Sequence, residues 1–381
     1  MFVEKTKLQK QENIIIDRCL SPYDKLILDL VQQYGGFFNA HTHLDRADTL
    51  DDIYLRHINT TPLEASSYPL SVKQNLTGDL HRGRAYTEGD LRHRMENVIE
   101  RLINYGTTGV ATCIDVSPEI GEDGLLVWRV ARELKEKFKD SIAIKIAPNP
   151  IFGFKEGTRH WEIFVEASKN ADFLTTLPEK DDPKIDGKIG FRENIRKVIE
   201  LGCNLKKEVH IHLDQANDPR EEGTLKLIEG LRWMDKPPAV WAIHCISPST
   251  YPEPKFNKLL AGLLEHNIGV IVCPSAALSM RQLRPLNVPT HNSIARVLDL
   301  VKNKVPVMIG TDNIADVFVP QSNGDMLTEL LILGHAIRFA TPYVLAKLAA
   351  GIPLNDVDRA AIERTMREDR LSYRTIDPNW K

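Results

Sequence analysis

The order of apolar and amphipathic segments is the feature that most restricts how this chain can fold. A short, nearly continuous apolar segment, a polar loop and a stretch of helical periodicity follow one another eight times. Such apolar segments are typical of parallel strands that are covered on both faces. Eight strand–helix units predict an α/β protein, and specifically a closed (β/α)8 TIM barrel, with an open doubly wound sheet as the alternative. The predicted strands span 36–44, 107–116, 141–150, 171–178, 208–214, 239–247, 268–275 and 306–313.

The pattern also predicts the limits of the barrel. We expect an N-terminal segment over 1–35, the barrel over 36–340 and a helical C-terminal extension over 341–381 that ends in the irregular sequence SYRTIDPNWK. The extension could pack on its own barrel or on a neighbouring subunit, so a homo-oligomer stays open. Two polar stretches, 45–87 and 179–190, follow the first and fourth strands and are predicted as long loops. In a barrel both lie at the carboxyl face, where sites form.

Composition limits the classes of partner. The chain is 42% hydrophobic and 27% charged with a formal net charge of -3, which argues against nucleic acid or an acidic membrane surface as partner. The first residues lack the apolar core of a signal peptide, and no run is long enough to span a membrane. Five widely spaced cysteines without a CxxC pair predict reduced thiols in a cytoplasmic protein.

Chemistry-bearing side chains stand at the ends of several predicted strands. His41 and His43 end the first strand, and alternate strand residues point to the same side, so both imidazoles face the barrel interior. Further candidates end the fifth, sixth and eighth strands: His210, His212, His244 and Asp312. A single HxH pattern is weak, but buried polar groups at four strand ends need a common partner. They predict one bound divalent metal ion.

These residues carry a resemblance to a known family. The segments NAHTHLDR, HLDQ, AIHC and IGTDN, at these spacings, resemble the amidohydrolase superfamily over roughly residues 36–340, and in particular the subgroup of cytosine deaminase and N-isopropylammelide isopropylamidohydrolase. The resemblance implies hydrolysis of a C–N bond of a small-molecule substrate by metal-activated water. Deamination of a small cyclic or heteroaromatic amine is the leading expectation, with alkylamine removal or cyclic-amide opening as alternatives.

The resemblance also implies roles for individual residues. His41, His43, a histidine of the fifth strand and Asp312 would bind the metal. Asp312 would accept a proton from the attacking water, and His244 would bind that water or stabilise the developing oxyanion. On the fifth strand, HLDQ favours His212 as the ligand and leaves His210 as a packed or substrate-facing residue, although the reverse assignment stays open.

Two positions depart from the pattern of the family. Gln215 stands where the deaminases have a proton-shuttling glutamate, and an amide cannot exchange protons at neutral pH. Either Asp214, Asp312 or His210 takes that role, or the substrate is not an aromatic aminopyrimidine. Ile151 stands where cytosine deaminase grips its base with a glutamine, so cytosine itself is not the expected substrate.

Other residues near the motifs are candidates for substrate binding. Arg46 could hold an anionic substrate group bidentately, or could form an ordinary salt bridge with Asp45. Asp316 could line the pocket or shape its own loop. The predicted fourth strand, ADFLTTLP, holds no lysine that could bridge two metals, so one ion is expected.

The remaining questions concern the metal and the accessory parts. Zinc is favoured, and iron and manganese are compatible with three imidazoles and a carboxylate. The flanking β-sandwich of cytosine-deaminase-like enzymes is expected to be missing, because only about 35 residues precede the first motif and the C-terminal end is helical. A non-catalytic barrel that keeps its metal is the alternative from another functional class.

Overall fold

The computed structural model describes residues 20–376, except 182, 183, 185, 186, 235 and 281–292. Cys19 and the last five residues lie outside this part of the chain. The four described cysteines, Cys113, Cys203, Cys245 and Cys273, are free thiols, in agreement with the prediction that the cysteines are reduced.

Each predicted apolar segment contains a strand, and the strands that pair do so in parallel. The observed strands are shorter than the predicted segments. They are β1 (Phe37–Thr42), β2 (Thr107–Asp115), β3 (Ala143–Asn149), β4 (Leu174–Thr176), β5 (Val209–Leu213), β6 (Val240–His244), β7 (Gly269–Val272) and β8 (Val307–Ile309).

Helices alternate with the strands and cover the outside of the barrel. This agrees with the stretches of helical periodicity that separate the predicted strands. The helices are α1 (Pro22–Gln33), α2 (Asp52–Leu55), α3 (Pro62–Ser67), α4 (Leu70–His81), α5 (Glu88–Asn104), α6 (Leu126–Lys137), α7 (His160–Lys169), α8 (Phe191–Leu205), α9 (Gly223–Leu231), α10 (Glu253–Glu265), α11 (Pro274–Ser279), α12 (Val297–Lys302), α13 (Met326–Ile337), α14 (Pro342–Ala349) and α15 (Asp356–Ile376).

Two junctions close the barrel. Strands β1 to β3 and β4 to β8 form two hydrogen-bonded sheets. At the first junction, the Asp312 N–H donates to the His41 carbonyl at 2.9 Å and the His43 N–H donates to the Asp312 carbonyl at 3.3 Å, which joins β8 to β1. At the second, the Asp172 N–H donates to the Ile146 carbonyl, and the Asp172 carboxylate accepts the Ile146 N–H. The predicted closed barrel is therefore confirmed, and the open sheet is wrong.

The stretch 45–87, which we call the β1–α5 insertion, is largely helical and not the loop that its polar sequence predicts. Helix α3 begins with a capping box between Thr61 and Glu64 and has Pro62 at its first position. Hydrophobic periodicity did not predict helix α4, because most of the residues that it buries are polar. The buried residues are Lys73, Gln74, Thr77, Gly78, Leu80 and His81. Such a helix is stable only where its buried polar side chains find polar partners in the folded protein, and hydrophobic periodicity in the sequence does not show those partners.

Both ends of the described chain pack on the same side of the barrel. The Tyr23 hydroxyl of α1 donates to the Ala340 carbonyl just before α14, and the Lys347 ammonium lies 5.9 Å from the Tyr34 ring. Helix α15 continues to Ile376, so the sequence SYRTI is helical and the prediction of an irregular end was wrong there. None of the helices in the described ranges is long and apolar enough to cross a membrane.

Gly310 is expected to be essential for barrel closure. A Cβ at this position would lie 2.6 Å from both the backbone nitrogen and the carbonyl oxygen of His41. Gly310→Ala should therefore lower the free energy of unfolding by about 3 kcal/mol, because two closing strands must separate. Gly230→Ala is the matched control: its Cβ would meet only Ile195, at 3.9 Å, and a helical Gly→Ala change should stabilise by roughly 0.5–1 kcal/mol. Denaturant unfolding of both variants would show the contrast, and equal stabilities would contradict it.

Candidate metal centre

Three imidazoles and one carboxylate converge at the carboxyl end of the barrel. The Nε2 atoms of His41 and His43 lie 3.3 and 3.4 Å from the same oxygen, Oδ1 of Asp312. The Nε2 atom of His212 lies 3.3 Å from that of His41. The ligand atoms form two overlapping groups, His41 with His43 and His212, and His41 with His244 and Asp312, each within 4.8 Å. All five side chains are buried.

The second nitrogen of two of these rings is held by neighbouring strands. His212 Nδ1 lies 3.2 Å from the Thr176 carbonyl at the end of β4. Because a carbonyl only accepts, Nδ1 carries the proton and the lone pair of Nε2 points toward the cluster. His41 Nδ1 lies 3.6 Å from Cys113 Sγ on β2. These contacts fix the ring orientations in the way that outer contacts fix metal-binding histidines.

The donor set fits a divalent cation. Burial alone would raise the pKa of Asp312, but the contacts with His41 and His43 hold it well below its usual value, so the carboxylate is ionised. Burial lowers the pKa of His43 to about 4 and that of His212 well below its usual value, so these rings are neutral. Burial would also lower the pKa of His41, yet Cys113 and Asp312 raise it to about 9. These shifts show that a positive charge is favoured beside the Asp312 carboxylate. A metal ion bound by neutral imidazoles would supply that charge.

His244 lies beside this group on β6. Burial lowers its pKa to about 4, and its Nδ1 atom has no hydrogen-bond partner among the described residues. The neutral ring can therefore donate one N–H and accept at the other nitrogen.

The strand ends at the site adopt an unusual backbone. Asp214, His244 and Asp312, directly at or after the ends of β5, β6 and β8, have φ values of 55°, 77° and 59°. Residues other than glycine rarely adopt this left-handed region, and they concentrate at functional sites. His244, Asp312 and Gln215, the residue after Asp214, all line the cavity described next.

A cavity of about 280 Å³ opens above the cluster. Its floor includes His43, His212, His244 and Asp312, and Ile151 and Gln215 form part of its wall. The β1–α5 insertion closes one side of the cavity. The lining residues from this insertion are Arg46, Ser66, Ser67, Tyr68, Leu70, Lys73 and Gln74.

Arg46 lines the cavity, but its guanidinium is largely committed within the protein. Its Nε and Nη2 atoms donate to the two oxygens of Asp115 at 2.8 and 2.5 Å, and His81 Nε2 lies 3.0 Å from the same carboxylate. Asp115, and not Asp45, is thus its partner, and the predicted pairing with Asp45 was wrong. Burial and Asp115 raise the pKa of Asp45 to about 7, whereas Arg46 and His81 overcome the effect of burial and hold that of Asp115 far below its usual value.

Gln215 also lines the cavity, where its amide nitrogen donates to Glu179 Oε2 at 3.1 Å. Glu179 lies in a short 3-10 helix after β4, Pro178–Lys180, and its other oxygen accepts the Asp214 N–H at 2.9 Å. Asp214 itself faces away from the cavity, where its carboxylate accepts from the backbone of Gly223 and Thr224.

Two residues predicted to bind substrate lie elsewhere. His210 lies on β5 two residues before His212 and does not line the cavity; its ring packs 4.3 Å from that of Phe173. Asp316 is buried beside the cavity, and its carboxylate accepts from the backbone N–H groups of Phe318 and Val319, which shapes the loop after β8. Neither residue lines the cavity, and both contacts agree with the alternatives left open by the sequence, a packed His210 and a loop-shaping Asp316.

Sequence reasoning missed Lys73, Gln74, Asn149 and Glu179. Lys73 and Gln74 lie on the polar face of α4 in the insertion, and Asn149 lies at the end of β3, where it also donates to Asp115 at 2.8 Å. The position of Asn149 at a strand end was a usable signal. The other three follow from the packing of the insertion and of the loop after β4, for which the sequence carries no motif.

Comparison with known proteins places the fold. No family model matches the chain. It is 27% identical over 279 residues to an uncharacterized protein from Haemophilus influenzae, which covers 72% of this chain and 94% of that relative. Its structure is similar to 5-methylcytosine deaminase from Klebsiella pneumoniae liganded with 5-fluorocytosine, with a TM-score of 0.67 and 22% identity over 87% of this chain and 82% of that one.

It is also similar to N-isopropylammelide isopropylaminohydrolase from Burkholderia multivorans, with a TM-score of 0.60 and 16% identity over the same shares of the two chains. These likenesses confirm the predicted fold, a (β/α)8 barrel. Each named strand in the described residues belongs to this barrel, so the described part of the chain contains no flanking β-sandwich.

The buried Arg46–Asp115 pair should dominate local stability. Asp115→Asn would leave the Arg46 charge buried without its carboxylate, and we expect the free energy of unfolding to fall by about 3 kcal/mol. The matched control is Asp52→Asn, which breaks the exposed Arg56–Asp52 pair and should change stability by less than about 0.5 kcal/mol. Chemical denaturation would measure both. A loss at Asp115 no larger than that at Asp52 would show that Arg46 finds another partner.

Proposed function

We propose that this protein is a metal-dependent hydrolase of C–N bonds and that it deaminates a small cyclic or heteroaromatic amine. The observation that carries this proposal is the convergence of three imidazole Nε2 atoms and the Asp312 carboxylate at the floor of a cavity. By their names, the proteins of similar fold act on methylcytosine and on N-isopropylammelide. The cavity volume of about 280 Å³ supports a small substrate, since it lies at the lower end of the range for small-molecule sites.

In this proposal His41, His43, His212 and Asp312 hold one divalent ion. We favour zinc, and the same nitrogen and oxygen donors would accept iron or manganese. A bound ion of this kind lowers the pKa of water toward about 7 and so supplies a nucleophile at neutral pH.

The chain's own groups divide the remaining work between them. Asp312 is ionised and faces the cavity, so its carboxylate can take the proton that the attacking water loses. His244 is neutral, and its ring N–H can stabilise negative charge on the attacked group as the carbon becomes tetrahedral. Lys73 brings positive charge to the cavity wall, Arg46 lines it while paired with Asp115, and Gln215 contributes an uncharged polar group.

Metal content tests the ligand assignment on β5. We expect about one equivalent of metal in the purified wild type and a sharp loss in His212→Asn, because one of four donors is removed. His210→Asn is the matched control: this residue lies two positions earlier on the same strand and contacts Phe173 instead of the cluster. Elemental analysis by mass spectrometry decides the matter. Equal loss in both variants, or no metal in the wild type, would contradict the assignment.

Turnover tests the reaction. Zinc-loaded protein would be incubated with 5-methylcytosine, cytosine, guanine, adenine and N-isopropylammelide, with assays for ammonia and for isopropylamine. We expect ammonia from at least one heteroaromatic amine, with cytosine a poor substrate. His244→Asn should lower kcat by roughly 10²–10³-fold at unchanged metal content, because it removes only stabilisation of developing charge. A metal-loaded protein with no turnover in a wider amine and cyclic-amide panel would favour a non-catalytic barrel.

A further inference from the structure

The amide of Gln215 is held from behind by a carboxylate. Gln215 lines the cavity and is 94% buried, and its Nε2 atom donates to Glu179 Oε2 at 3.1 Å. Glu179 does not line this cavity. It lies behind the cavity wall, in a second depression that it shares with Phe191 and Glu221.

The orientation of the amide follows from a chain of two hydrogen bonds. The Asp214 backbone N–H can only donate, and it occupies Oε1 of Glu179 at 2.9 Å. An ionised carboxylate can only accept, so its second oxygen requires the NH2 end of Gln215. The carbonyl oxygen of Gln215 is then the end that remains for the cavity. This conclusion depends on the partners alone, so it does not rely on how the amide atoms are assigned.

We propose that Glu179 sets the hydrogen-bond polarity of Gln215, so that the cavity wall offers an acceptor and the substrate presents an N–H or O–H donor to it. This inference rests on the proposed function, because it takes the cavity as the substrate site. Glu179 acts as a positioning residue that never touches the substrate. The substrate class is thereby narrowed to rings with a donor on the edge that faces β5, such as a lactam or amidine N–H.

The same arrangement makes the polarity depend on pH. Burial and the nearby Asp214 raise the pKa of Glu179 to about 7. A protonated Glu179 would donate to the carbonyl of Gln215 and turn its NH2 end toward the cavity. The acceptor would therefore face the cavity above about pH 7 and give way to a donor below it. The charged and titratable groups around Glu179 are Asp214, Glu221, Glu222, Lys180, Lys226 and Cys245.

One isosteric substitution should reverse the polarity at any pH. In Glu179→Gln, the new carbonyl must still accept the Asp214 N–H, so its NH2 end faces Gln215. Gln215 must then accept with its carbonyl and present NH2 to the cavity. Gln215→Met removes the polar group altogether. Glu222→Gln is the matched control, because it makes the same chemical change at an exposed position nearby that pairs with Lys255.

Two matched probes measure the polarity. 2-Pyridone and 2-pyranone differ by a ring N–H in place of a ring oxygen, and calorimetry would give the Kd of each for zinc-loaded protein at pH 8.5. We expect wild type and Glu222→Gln to prefer 2-pyridone about tenfold. Glu179→Gln should lose or reverse this preference, and Gln215→Met should show none. A preference that persists in Glu179→Gln but vanishes in Gln215→Met would overturn the proposal.

A second measurement needs neither ligand nor turnover, so it separates this inference from the proposed function. The Gln215 side-chain amide would be followed by NMR in protein with 15N-labelled glutamine, and the Gln215→Met spectrum assigns its signals. We expect the signals to titrate with a midpoint near pH 7 in wild type and in Glu222→Gln, and not to titrate in Glu179→Gln. An amide that is insensitive to pH and unchanged by Glu179→Gln overturns the proposal even if the enzyme proves active.

Discussion

The junction between the first and last strands is the constraint on which the rest of the structure depends. Asp312 donates its N–H to the His41 carbonyl, and its own carbonyl accepts from the His43 N–H and from the Thr42 hydroxyl at 2.7 Å. These bonds close the barrel, and they also fix where the Asp312 carboxylate lies relative to the two imidazoles. Because one residue serves both purposes, an error in strand register at the closure would dismantle the candidate metal centre as well.

Each buried charge around the cavity lies next to a group of opposite charge, and this explains which residues surround the cavity. Asp312 is balanced by the histidine cluster, while Arg46 and Asp115 balance each other and His81 also contacts the Asp115 carboxylate. A charge in such a place is tolerated only with close partners. The polar inward face of α4 contributes to this arrangement of charges, because His81 contacts Asp115 and Lys73 lines the cavity. The insertion is therefore part of the electrostatic framework of the site, although its sequence reads as a solvated loop.

The sequence predicted the parts of this molecule that depend on local pattern. The strands could be located because each is a short apolar run, and His41 and His43 at the end of β1 could be aligned because strand residues alternate. The partner of Arg46 could not be predicted, because Asp115 is 69 positions away and Asp45 is adjacent in sequence. Glu179 was missed for the same reason: its contact with Gln215 spans 36 positions between two loops. His210 and His212 face the same side of β5, and only the position of the barrel mouth separates their surroundings.

The neutral amide at position 215 restricts which group can transfer a proton in the proposed reaction. Asp312 is the one carboxylate among the described residues that line the cavity. If a C–N bond is hydrolysed there, the proton that leaves the attacking water must reach the departing nitrogen. Gln215 cannot carry a proton, and Glu179 lies behind it, outside the cavity. Asp312 would therefore both accept that proton and return it, which requires the departing nitrogen to lie on the Asp312 side of the ring. The acceptor of Gln215, on the β5 side, would then hold the ring in that orientation.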